Sequence, residues 1–146
     1  FLKILKNALI SANITIYDMA LKDESLRGMG TTAVVAVIKG NEVALAHVGD
    51  SRIYLVNDEI TQLTRDHSVV QYLIDTGRIT KEAAKTHPDR NVITRAVGVN
   101  PEVDIDVDIV LRTPGMKYYL DKLVLILAGQ QCCPLQLSNN VCEANR

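Results

Sequence analysis

"TTAVVAVIKGNEVALAHVGDSRIYLV", residues 31–56, decides the fold. β-Branched and other apolar residues dominate it, and polar turn residues break it at two places. "TTAVVAVIKG" and "NEVALAHVG" read as strands joined at Gly40-Asn41, and "RIYLV" reads as a third strand. Asn57-Asp58 marks the next turn and "EITQLT" a fourth strand, so the short connections predict an antiparallel meander.

Outward from this stretch the texture changes to helix on both sides. In residues 2–20, Leu2, Leu5, Leu9, Ala12, Ile16 and Met19 recur at helical spacing, and "KDESLRGMGTT" then reads as a loop. Downstream, Ser68 is placed to cap a helix carrying Val69, Val70, Leu73 and Ile74, which Gly77 stops. Thr80 starts a second short helix that ends before His87-Pro88. "RNVITRAVG" (90–98) fits neither template, whereas "VDIDVDIVL" (103–111) alternates strictly and predicts a strand. The fold class is α+β, in one domain.

Composition narrows the function. The 146 residues carry a formal net charge of -1, so no general attraction to nucleic acid or anionic membrane is expected. Trp is absent and Phe occurs once, which leaves few stacking surfaces for bases. Cys132, Cys133 and Cys142 crowd one end in an odd number and match neither a disulfide framework nor a zinc site. No run approaches the ~20 apolar residues of a membrane span. The chain opens on Phe1 without a leader pattern, so a cytoplasmic protein that begins inside a domain is expected.

Several local patterns carry chemistry only at first glance. Gly28-Met29-Gly30-Thr31-Thr32 suggests a phosphate loop, but that loop needs a helix behind it, and here a strand follows. Asp104, Asp106 and Asp108 suggest a calcium loop. Ile109 and Gly115 stand where the required Gly and Glu should be, so the alternation predicts one solvated acidic face instead. His47 reads as a structural residue in an alternating strand, and Asp66-His67-Ser68 as a strand exit and helix cap. No Gly-x-Ser-x-Gly elbow supports a nucleophilic Ser51 or Ser68. Asp50 follows Gly49 at a strand end, where a carboxylate either caps its own turn or faces a cleft.

Taken in order, "GMGTT", "AHVGDSRIYL", "QLTRDHSVVQYLIDTGRIT" and "HPDRNVITRAVG" resemble the bacterial branch of the metal-dependent protein serine/threonine phosphatases, the PPM or type-2C family. The resemblance covers about residues 5–115 and implies residues 1–115 to be the central part of such a domain. The implied fold is a β-sandwich of two antiparallel sheets flanked by helices, with a helical flap near 68–90. The implied activity is hydrolysis of phosphoserine and phosphothreonine by water activated on Mn²⁺ or Mg²⁺. Phosphorylated proteins of a Ser/Thr kinase pathway are the implied partners, and a catalytically inactive binding or regulatory module on the same scaffold is the alternative.

By the same resemblance Asp50 is a metal ligand, and Gly49, Ser51 and Arg52 are structural residues beside the site. The family's Asp-Gly-Met-Gly-Gly-His-type run and its phosphate-binding Arg are not in the sequence, so no catalytic residue is expected within this chain and the chain itself should be inactive. An incomplete sandwich is also expected to expose strand edges. Residues 116–146 depart from the family's pattern. A reading-frame slip near Gly115 would restore the family's Pro-Gly-Asp run, but it does not restore the Ser-Asp that precedes Gly-Leu.

Overall fold

The two hairpins that the sequence places in one meander lie in separate sheets. In a computed structural model, side chains are described for residues 1–56 and 58–111, and the backbone alone for strands within 117–121, 124–128, 137–138 and 141–143. Helix α1 spans Leu2–Lys22 and a single 3-10 turn follows at Glu24–Leu26. Strands β1 (Ala33–Lys39) and β2 (Glu42–Val48) form the first hairpin, and β3 (Arg52–Val56) and β4 (Ile60–Gln62) the second. Helices α2 (Val69–Asp75) and α3 (Lys81–Lys85) come next, then β5 (Asp106–Leu111), β6 (Lys117–Asp121), β7 (Val124–Ala128), β8 (Leu137–Ser138) and β9 (Val141–Glu143).

One sheet has the order β5-β2-β1-β7 and the other β4-β3-β6-β9-β8. All pairings are antiparallel except β1 with β7, where Val34 faces Val124 in a parallel register. Burial explains the division. Val34, Ala36, Ile38, Val43 and Leu45 point at Ile53 and Leu55 of the opposite sheet, forming the inter-sheet core. The other face of β1 and β2, with Val35, Val37, Ala44, Ala46 and Val48, packs under Leu5 and Leu9 of α1. Small alanines on that face let the helix approach closely. Strands covered on both sides read as continuous apolar runs, whereas β3, with one covered face, alternates.

The link from β2 to β3 is therefore a corner between sheets and not a hairpin turn. Gly49 makes it, with φ at 101°, a region that side chains other than glycine's rarely adopt. Ser51 is 1% exposed and shares a 2.7 Å hydroxyl–hydroxyl hydrogen bond with Thr32, which ties the corner to the start of β1.

The expected solvated acidic face is present, with Asp104 and Asp108 exposed and Asp106 partly so, but it faces a side of the sheet that the sequence did not show. β5 begins at Asp106, and its register sets Asp106 opposite His47, Asp108 opposite Leu45 and Val110 opposite Val43. The acids thus lie on the face turned toward the second sheet, while Ile105 is buried beneath α1 and Ile109 is 41% exposed. The alternation was legible. What it lacked was that β5 is an edge strand at the end of the sandwich, where polar groups replace the core.

The expected helical flap near 68–90 is present as α2 and α3, capped by Ser68 Oγ and Thr80 Oγ1. For residues 116–146 only the backbone of β6–β9 is described; Gly115, Cys132 and Cys133 lie outside the described residues. Among the described residues no helix is long and apolar enough to cross a membrane.

Candidate functional site

Asp50 and Arg52 of the corner help form one wall of an open cleft of about 730 Å³, and the α2–α3 pair forms the other. Asp50, half-buried, and Asp66 line the sandwich side; Lys81, Lys85 and Arg90 line the helical side. Arg52 grips Asp66 with both arms of its guanidinium: Nε donates to Oδ1 at 2.8 Å and Nη2 to Oδ2 at 2.6 Å. Its Nη1 also donates to the Tyr54 hydroxyl at 3.1 Å. The Asp66 bond is the main reason the Arg52 pKa is raised, against the opposing effect of burial. Asp66, 8% exposed at its side chain, is thereby neutralised, and Arg52 is fixed against β3.

Behind the corner lies a polar network, built on the buried His67, that local sequence patterns did not reveal. His67 Nδ1 accepts the Gly49 N–H at 3.1 Å, and the His67 backbone N–H donates to the Gly49 carbonyl at 3.0 Å. On the far side of the ring, Nε2 lies 3.2 Å from Asp106 Oδ2, and Arg95 Nη1 donates to Asp106 Oδ1 at 2.8 Å. Arg95 Nη1 is also 3.2 Å from His67 Nε2. An imidazole that accepts at Nδ1 carries its proton on Nε2, so that nitrogen donates to Asp106 and Arg95 bonds the carboxylate. Burial pushes the His67 pKa down and outweighs the Asp106 hydrogen bond, so the ring is held neutral. For Asp106, burial raises the pKa, yet the His67 and Arg95 contacts outweigh it and hold the carboxyl low.

His47 stacks on His67, with centroids 4.7 Å apart and planes 17° from parallel, and its Nε2–H donates to the Arg65 carbonyl at 2.9 Å. His47, His67 and Asp106 are the one group among the described residues with three candidate metal-ligand atoms within 4.8 Å of one another. Metal ligation there is geometrically poor. Near-parallel stacked rings cannot both aim in-plane lone pairs at one ion, and Arg95 already supplies the positive charge. The group is a structural lock, and Asp50 stands apart from it on the cleft wall.

Comparison with known proteins places this arrangement. Residues 2–73 match the family described as Protein phosphatase 2C. A Listeria innocua protein named serine/threonine phosphatase stp is 45% identical over 102 residues, covering 69% of this chain and 40% of the relative. The chain belongs to the protein phosphatase 2C family. The solved structure of the serine/threonine phosphatase Stp1 from Staphylococcus aureus superposes with a TM-score of 0.77 at 40% identity, covering 81% of this chain and 47% of that one. A PstP catalytic domain solved in complex with two manganese ions matches with a TM-score of 0.72 at 38% identity, covering 82% of this chain and 49% of its own. The chain therefore spans about half the length of the phosphatases it resembles.

Gly49, Asp50, Ser51 and Arg52, consecutive in the sequence, form the corner, and Gly28–Thr32 runs directly into β1, with the backbone of Thr31 bridged to Val97. His67, Asp106 and Arg95 were missed as partners because they stand 18, 57 and 46 positions from Gly49, and only the crossing of sheets brings them together.

Proposed function

We propose that residues 1–115 are the central part of a metal-dependent protein serine/threonine phosphatase domain in which Asp50 is a metal ligand. The observation that carries this reading is the position of Asp50 on the wall of a cleft whose opposite wall is basic. A carboxylate beside open, solvated space suits Mn²⁺ or Mg²⁺, which take one or two carboxylates and keep several waters. Asp50 is the ligand assigned to this corner, with the remaining positions filled by water and by other residues, and Asp66 stays with Arg52. Bound there, such an ion supplies acidification of a coordinated water and neutralisation of phosphate charge.

The chain's own residues do the rest by position. Lys81, Lys85 and Arg90 draw an anionic phosphoprotein into the cleft, and Arg52 keeps Asp66 from repelling it. No side-chain nucleophile is required. The substrates are phosphoserine and phosphothreonine proteins, the products of Ser/Thr kinases, and the setting is the cytoplasm.

Calorimetric titration of Mn²⁺ into the 146-residue chain and into its Asp50→Asn variant tests the assignment. Binding that weakens about tenfold or more in the variant, at unchanged folded content, supports it. Equal binding by both proteins favours the inactive binding module instead.

A further inference from the structure

Gly49 is held from two directions by a single residue. The His67 N–H donates to the Gly49 carbonyl at 3.0 Å, and the Gly49 N–H donates to His67 Nδ1 at 3.1 Å. No other side chain bonds the Gly49 amide among the described residues. Gly49 immediately precedes Asp50, and its backbone dihedrals set the direction in which the chain leaves β2. The amide bond to Nδ1 is possible only for the Nε2–H tautomer. That tautomer is selected by Asp106, itself anchored by Arg95, and the ring plane is fixed by the stacked His47. The remaining polar group of His67, its carbonyl, accepts the Thr94 N–H at 2.8 Å, so the residue is immobilised at every polar atom.

We propose that His67 is a positioning residue for Asp50: its Nδ1 is a fixed acceptor that holds Gly49 in its left-handed conformation and so aims the Asp50 carboxylate into the cleft. Asp106 and Arg95 act one step further out, by keeping the proton on Nε2. The arrangement parallels the way outer hydrogen bonds orient the ligands of metal sites, where losing one lowers metal affinity about 10–100-fold. The proposal rests on the assignment of Asp50 as a metal ligand. The clamp on Gly49 can be measured without any metal.

Two substitutions separate acceptor chemistry from mere bulk. In His67→Asn the side-chain amide oxygen can take the place of Nδ1, whereas His67→Gln places its amide nearer to Nε2. Amide hydrogen exchange of Gly49 by NMR reads the clamp directly. Slow exchange is expected in the natural chain and in His67→Asn, and exchange at least tenfold faster in His67→Gln, with the amides of β1 unchanged. Mn²⁺ affinity should follow the same order, near the natural value for His67→Asn and about tenfold weaker for His67→Gln.

A Gly49 amide that exchanges equally slowly in folded His67→Gln overturns the proposal, and so does loss of protection in folded His67→Asn. If Gly49 exchange follows the expected order but Mn²⁺ binding is the same in the natural chain and Asp50→Asn, the clamp stands and the metal assignment falls. Should either variant fail to fold, long-range ¹H–¹⁵N correlation on the natural chain decides. A proton on His67 Nε2 is expected, and a proton on Nδ1 refutes the acceptor role.

Discussion

Replacing Gly49 by alanine tests the corner most directly. A Cβ built on Gly49 would lie 2.7 Å from Thr32 Cβ and 3.2 Å from Thr32 Cα, and the second is backbone that cannot swing aside. The φ of 101° adds strain for any L side chain. Positive-φ strain of about 1–2 kcal/mol and overpacking of about 1–3 kcal/mol together give a cost of roughly 2–5 kcal/mol. Gly40 provides the control. Its φ is 58° and nothing lies within 4 Å of a built Cβ, so Gly40→Ala carries only the strain. Urea unfolding followed by circular dichroism should show Gly49→Ala lowering the midpoint by about 1–2 M and Gly40→Ala by about half as much. Thr32→Ser, which deletes the methyl group and keeps the hydroxyl bonded to Ser51, should recover part of the loss when combined with Gly49→Ala. Equal midpoints for the two alanine variants, or no coupling with Thr32→Ser, would refute the steric account of the corner.

Arg52→Lys should destabilise the fold by about 1–2 kcal/mol in the same assay, because an ammonium cannot reproduce the two-armed grip on the mostly buried Asp66. Acid should weaken the fold in two stages. The folded His67 pKa lies below its ordinary value of 6.5, so the unfolded chain takes up the proton first, and stability falls as pH drops from about 7 until the folded ring also protonates. The Asp106 pKa is held below 3.8, so a second loss follows as pH falls through that value toward the folded pKa. The first stage should vanish in His67→Asn, and a pH-independent unfolding midpoint between 5 and 7 in the natural chain would contradict the neutral ring. Mn²⁺-dependent hydrolysis of p-nitrophenyl phosphate by the 146-residue chain should stay at background; clear turnover would mean that the metal ligands have been misplaced.

The elements were legible in the sequence because each depends on local pattern. The strand pairs meeting at Gly40 and near Asp58, the Ser68 and Thr80 caps and the long first helix all follow from neighbouring residues. Which sheet a hairpin joins is a non-local matter. Three residues, Gly49-Asp50-Ser51, can close a hairpin or turn a sandwich corner, and only burial decides between them. A signal was present nonetheless: β2 is apolar almost throughout while β3 alternates, which marks strands covered on different numbers of faces. At the proposed site, Asp50 was singled out through resemblance to a family motif, since an Asp after Gly usually serves its own turn. The His67–Asp106–Arg95 network had no comparable signal, because its members belong to three separate segments and each has an ordinary local reading.

The cleft is bounded by walls of very different firmness. Its sandwich side rests on strands whose apolar residues are almost wholly inaccessible, whereas α2 buries no residue and α3 buries only Ala84. The helical side is moored by the Val69 amide on the Val92 carbonyl, the bridge between Ser68 and Ile93 and the exposed pair Arg65–Asp75. So few buried contacts make local opening of this segment far cheaper than global unfolding. The space beside Asp50 can therefore widen or narrow by movement of one wall alone, while the corner that carries the carboxylate keeps its place on the rigid sheets.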